Sequence, residues 1–407
     1  MKLNAHALFF SLVVALLTAI ICSSFILYAY YNRVVLHRHQ QHSRLSENAI
    51  SGINYLSALP EEFDQTIDLF GDGKDSVHLV KKRWGFFDVL FAKAFSNEKS
   101  KERVVMSGVS NNDQTALYLL DQNKKLSLTG RTKIVGDAYL PKTGVTRGYI
   151  GGNSYLGNQL IYGSTFTSTS TLPALNEEVV NHIIQLWNEQ GEELQDSINH
   201  PFSQDTKYVN VDGVLSGFHK GNVVYTSSYP VLVSSICELN DVIVIAPSIT
   251  IQRGFKGSAQ FFAMDSLLVE ENVLLNYPSV LGLIKKKTDH SVRPFIQIAK
   301  GSTVRGGLVA YQLDYDRSKT LIKVEKDVKI DGFIYTNGFL QHEGELNGKV
   351  NCASFYLSTK SSVYENYLKD AIIDRKALSE EFVWPIFLQK DISKSRKKLK
   401  RIDDQKT

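Results

Sequence analysis

The sequence predicts a mainly β fold: an N-terminal transmembrane and stalk helix, a small β-rich domain, and an irregular parallel β-helix with an inserted helix. Three observations carry that expectation. Residues 7–31 form one uncharged apolar run without Pro or Gly, short segments rich in Val, Ile and Leu recur toward the C-terminus, and four segments repeat one spacing of two aliphatic residues and a Gly.

The apolar run comes first. A helix rises about 1.5 Å per residue, so residues 7–31 can cross a hydrocarbon core of about 30 Å with some tilt. A cleaved signal peptide has a shorter apolar core, about 7–15 residues, before a small-residue cleavage site. Here the run ends in Tyr28, Tyr30 and Tyr31, which suit an interfacial aromatic belt. Lys2 flanks one end and Arg33, Arg38 and Arg44 the other, so the charge bias is close to a tie. A short leading tail favours export of the downstream chain, and the expected location is the inner membrane, single-pass, with the body outside the cytoplasm. Leu45, Ala49, Ile50, Ile53 and Leu56 keep helical spacing and extend the anchor as an amphipathic stalk to Pro60, with Gly52 as its weak point. This layout over residues 1–60 resembles that of the type IV pilins and pseudopilins, without the Glu that the family places five residues into the apolar run.

Composition narrows the function classes. The 407 residues carry a net charge of +4, but residues 390–407 hold eight Lys and Arg against three Asp, so the rest is near neutral. That basic tail reads as a solvated end that can meet an anionic surface, and no specific nucleic-acid partner is expected. Of three Cys, Cys22 lies in the apolar run, leaving Cys237 and Cys352 as an unforced pair. No Cys or His ligand spacing supports zinc, and GxSxG, P-loop and dinucleotide motifs are absent. His37, His39 and His42 come after the anchor, but only His39 and His42 share a helical face, which favours a solvated stretch over a metal site.

Residues 61–125 read as a membrane-proximal β-rich domain, although residues 84–91 are too uniformly apolar to assign by period. The repeat then appears at Leu128, Ile134 and Gly136, and again at Ile298, Val304 and Gly306, at Val324, Ile330 and Gly332, and at Leu340, Leu346 and Gly348. In a parallel β-helix each coil turns its aliphatic residues inward, and Gly supplies the positive φ of a corner. Stacked coils bury one continuous column that no single coil can bury alone. First coils are expected over residues 126–165 and further coils over residues 236–360. An antiparallel sandwich would alternate similarly but needs more hairpin turns than the sequence shows. Between the coils, residues 166–235 read as an insert. In it Val179, Val180, Ile183, Ile184 and Trp187 stripe a helix over residues 177–190, capped by Asn176 and stopped by Gly191, that seals a coil end or packs on a side. A capping box at Ser362 and Glu365 opens an expected short helix within residues 361–389.

The coil pattern at residues 128–136 and 298–348 resembles that of the bactofilins, polymer-forming bacterial proteins built on a right-handed β-helix. The resemblance implies scaffolding at a membrane by end-to-end stacking, with no cofactor. Irregular coil lengths, a large insert and capped ends depart from the family. β-Helices also host polysaccharide lyases and hydrolases, whose chemistry needs converging carboxylates. The residues to watch are Asp289, His290 and Arg293, and Asp314, Asp316 and Arg317, all in polar stretches between coils. The expectation is therefore a non-enzymatic envelope scaffold presenting a β-helix to protein partners, with a glycan-binding or glycan-cleaving β-helix as the alternative. No catalytic, metal or cofactor residue is assigned.

Overall fold

The computed structural model describes residues 5–71, 73, 75–96, 99–285, 293–313, 319–359, 362–388 and 397–401. They fall into two compact units, Met1–Lys81 with Leu90–Arg103, and Lys82–Val89 with Val104–Thr407.

The first unit is built on one helix, α1, Ala5–Ala58. Its apolar window has a mean hydropathy of 2.5 and no buried residue, so α1 is long and apolar enough to cross a membrane. Further along, Leu45, Ala49, Ile53 and Leu56 turn inward as the stalk pattern predicts, while Ile50 stays 38% exposed. Gly52 is no weak point: a Cβ there would lie 2.6 Å from the Leu79 side chain and 3.2 Å from those of Val77 and Ala92. Glycine lets α1 approach the strand Ser76–Trp84, which pairs antiparallel with Phe63–Ile67. The buried Asp75 carboxylate accepts from Arg44 Nη2 at 2.8 Å and from Asn48 Nδ2 at 3.1 Å, which ties the base of the sheet to α1. The strands Ser76–Trp84, Phe87–Ser96 and Lys99–Val109 contribute residues to both units.

In the second unit the strands link into one closed, barrel-like sheet whose pairings run parallel from coil to coil. Ile298 pairs with Val324, Val304 with Ile330, and Ile330 with Leu346, all fully buried. The column continues from Leu346 to Ile373 and from Ile373 to Ile134. Leu340 is the exception, since it pairs with Ile322 while His342 takes the place opposite Val324. Gly306, Gly332 and Gly348 form their own ladder, with φ between 148° and 151°. A Cβ on Gly332 would fall 1.6 Å from the Gly306 carbonyl oxygen, so only glycine allows the coils to stack at this corner.

Coil order is not chain order. The chain enters the stack at Thr115–Leu119, beside Val350 to Cys352 of a much later coil. It winds through Asp137–Leu140 to Thr165–Thr167, then reaches the opposite end of the ladder at Glu192–Glu193. From there it winds back up to Ile372–Asp374, which lies between Glu345–Ser358 and Lys133–Val135. The two arms meet at a seam, Val350 on Leu117 and Cys352 on Leu119.

Several expectations are corrected by these pairings. The region expected as an insert carries coil strands from Glu192 to Val233. The expected helix after Ser362 is instead three short strands, Val363–Glu365, Tyr367–Lys369 and Ile372–Asp374. Asn366 and Asp370, at φ 56° and 54°, break the helical run between them, and the coil ladder satisfies the backbone there. Within the basic tail, Lys397–Arg401 is a strand paired antiparallel with Val105 to Val109, so this part is not a loose end. Cys237 and Cys352 are both buried and free rather than paired.

The inserted helix, α2, spans Glu177–Leu186 and ends at Trp187, short of Gly191. Asn176 caps it by accepting the Glu178 N–H at 3.0 Å. Val179, Val180, Ile183 and Leu186 pack on the outer face of the coils with Val224, Ile243 and Ile245, so α2 lies on a side of the stack. The outward column explains why. It reads Glu193, Asn210, Thr226, Ile245, Phe262, Gly282, Val309, Tyr335, Asn351 from one coil to the next. Its middle is apolar and needs a cover, which α2 and the segment around Phe382 to Phe387 supply, whereas its ends are polar. Each apolar side chain so buried contributes about 1.5–3 kcal/mol.

Candidate functional site

Because α2 covers only the apolar middle of this face, it leaves a groove at each of its ends. Beside its first turn a hollow of about 470 Å³ is lined by Leu175, Glu177, Asn181, Tyr311, Gln312 and Tyr335. Burial first, and the Glu177 carboxylate second, push the Tyr311 phenol above its ordinary pKa. Tyr335 donates to the Pro173 carbonyl at 3.1 Å, which closes one wall.

The groove at the other end is larger, about 860 Å³, within the range of about 300–1,000 Å³ usual for small-molecule sites. Three stretches of chain build it. Trp187 to Leu194 comes from the end of α2 and the first coil strand, Asn210 to Asp212 from the next coil, and Thr226 to Tyr229 with Ile245 from the later ones. The coil register brings them together, since Glu193 pairs with Asn210 and Asn210 with Thr226. Asn210 fastens the floor: its Oδ1 accepts from the Gly191 N–H and from Thr226 Oγ1, each at 3.1 Å, and its Nδ2 donates to the Gly191 carbonyl at 2.8 Å. Burial first, and the Glu189 carboxylate second, raise the pKa of the neighbouring Tyr208 phenol.

Most of the residues singled out in the sequence are not gathered here. Asp289, His290, Asp314, Asp316 and Arg317 lie outside the described residues. Arg293 is described, and its guanidinium sits 5.5 Å from the Phe339 ring centroid and 5.8 Å from that of Tyr356, a packing contact. His37, His39 and His42 are exposed along α1, and His37 Nε2 meets the Gln41 amide at 3.4 Å. Among the described residues no group of three or more His, Cys, Asp or Glu is placed to hold a metal ion.

No protein-family model, curated protein or solved structure matches the chain.

The site therefore rests on its own geometry. Trp187, expected to be structural, does pack against the apolar cluster around α2, yet it also lines the larger groove. Glu193, Asp212 and Tyr229 escaped the sequence reading because they look like ordinary turn residues. Their only signal is a coil repeat of 17 and 16 residues, from Glu193 to Asn210 to Thr226, and that repeat is too short and polar to stand out.

Proposed function

We propose that this chain is a non-enzymatic, single-pass scaffold of the bacterial cell envelope, anchored in the inner membrane by α1 and presenting an irregular parallel β-helix to protein partners outside the cytoplasm. One observation carries the reading: the coil interior from Ile198 to Ile373 is filled mainly by apolar side chains, with the buried His219 and His342 among them, while α1 leaves its apolar window wholly uncovered. A filled coil stack is a rigid surface rather than a container, and rigid stacked repeats serve as extended binding faces. An uncovered apolar helix at one end calls for lipid. In this reading an anionic surface meets the basic tail, residues 390–407.

In-cell crosslinking of the full chain, after carbonate washing of the membranes, tests the proposal. The expected result is retention in the membrane pellet with specific protein adducts on the coil faces. Release by carbonate would remove the anchor, and adducts absent from every coil face would remove the scaffold.

A further inference from the structure

The larger groove beside Trp187 stands apart from the scaffold reading and does not depend on it. Its lining falls into three chemical classes. Trp187 and Tyr229 supply aromatic faces, and Tyr229 is 66% exposed. Asn188, Gln190, Asn210, Ser227 and Ser228 supply amides and hydroxyls. Glu189, Glu193 and Asp212 supply three carboxylates, none in an ion pair among the described residues. Among the described residues no Lys or Arg lines the groove, and the adjacent Lys207 ammonium is already bound to Glu192 at 3.1 Å.

Each class selects a feature of the ligand. Aromatic faces with a negative quadrupole take the C–H face of a sugar ring or a cation. Amides and hydroxyls on a wet, open surface read hydroxyl groups, directly or through water. An uncompensated set of carboxylates repels uronates, phosphates and sulfates, and it attracts amines. We infer that this groove binds a polysaccharide strand bearing free amino groups, with Trp187 and Tyr229 stacking on sugar rings and Glu189, Glu193 and Asp212 receiving the ammonium groups. Glu193 is held in the coil register, Asp212 follows the strand Lys207–Asn210, and Glu189 comes just after the end of α2 at Trp187. A flexible cationic peptide satisfies the charge but has no ring face to stack, so the sugar is the better match to two aromatics set among amides.

Calorimetric titration of the full chain in detergent micelles tests this, with four probes: a glucosamine hexamer, its N-acetylated counterpart, a galacturonic acid hexamer, and a Lys/Ser hexapeptide. The glucosamine hexamer should bind, more weakly as salt rises because the attraction is screened. The N-acetylated hexamer should bind at least about tenfold more weakly, and the galacturonate and the peptide weaker still. Tyr229→Ala, at an exposed position that leaves the fold unaffected, and Trp187→Ala should each cost about tenfold for the glucosamine hexamer. Glu189→Gln with Glu193→Gln should weaken that hexamer and flatten its salt dependence. The inference is overturned if the glucosamine hexamer does not bind, if galacturonate or the N-acetylated hexamer binds as well, if the peptide matches the sugar, or if Tyr229→Ala leaves binding unchanged. None of these outcomes bears on membrane retention or crosslinked partners, so the two readings fail separately.

Discussion

Replacing Gly332 by Ala tests the coil register most directly, because a single methyl group is aimed at a neighbouring backbone. At φ 151° a non-glycine residue is costly by itself, about 1–3 kcal/mol. The new Cβ would also lie 1.6 Å from the Gly306 carbonyl oxygen, far inside the 3.0 Å that real Cβ contacts respect. Relieving that overlap means parting strands normally about 4.8 Å apart by more than about 1 Å, which breaks the local ladder bonds. Two buried backbone groups left unpaired cost about 1–3 kcal/mol each. The total is about 3–9 kcal/mol, mostly above the about 0.5–3 kcal/mol of an ordinary substitution. Gly254→Ala is the control. It too has a positive φ, 80°, but no heavy atom lies within 4 Å of its would-be Cβ, so it should lose only about 1–2 kcal/mol. Urea unfolding monitored by circular dichroism would compare the two variants. Hydrogen exchange would localise the damage, since stacked coils open locally as well as globally. Faster exchange is expected in the flanking strands Thr303–Gln312 and Glu345–Ser358 of Gly332→Ala alone. Equal losses for the two substitutions would refute the close stacking at this corner.

Two further predictions concern buried titratable groups. His342 is 2% exposed, and burial pushes its pKa from 6.5 down to about 4. Below pH 6.5 the unfolded chain takes a proton that the folded chain refuses, so stability is full above pH 6.5 and falls as pH drops toward 4, by about 3 kcal/mol. His342→Leu should remove this contribution from urea midpoints measured across the window, while His219, whose pKa burial also lowers, still adds a slope of the same sign; an unchanged slope in His342→Leu would place the histidine in solvent. Burial, with Glu238 second, raises the Cys237 thiol to about 12, and burial raises that of Cys352 too, so neither is a thiolate at neutral pH. Mass spectrometry after maleimide treatment should therefore find both unmodified in the native protein and both modified after unfolding. Native labelling of either, or a mass showing them joined, would contradict the coil interior.

The larger part of the local structure was legible in residue types alone. An uncharged run without Pro or Gly has few stable alternatives to a helix, and α1 results from it. The spacing of Val304, Ile330 and Leu346 with their glycines marked inward positions and corners, because a coil must turn where only glycine can turn. The same pattern is silent on which coil neighbours which. An aliphatic residue facing inward is satisfied by any aliphatic residue above it, so Leu117 on Val350 reads no differently in sequence from a junction in chain order. That choice belongs to the tertiary structure: α2, drawn to the apolar outward residues Ile245 and Phe262, carries the chain along the side of the stack before it begins winding again. The capping box at Ser362 lost to the same force, since pairing Ile373 between Leu346 and Ile134 satisfies both backbone and side chain. The larger groove depends on that packing as well. Trp187 with Glu193, Asp212, and Tyr229 come from three separate stretches of chain, which the parallel coils bring together by stacking a fixed register of residues one strand apart.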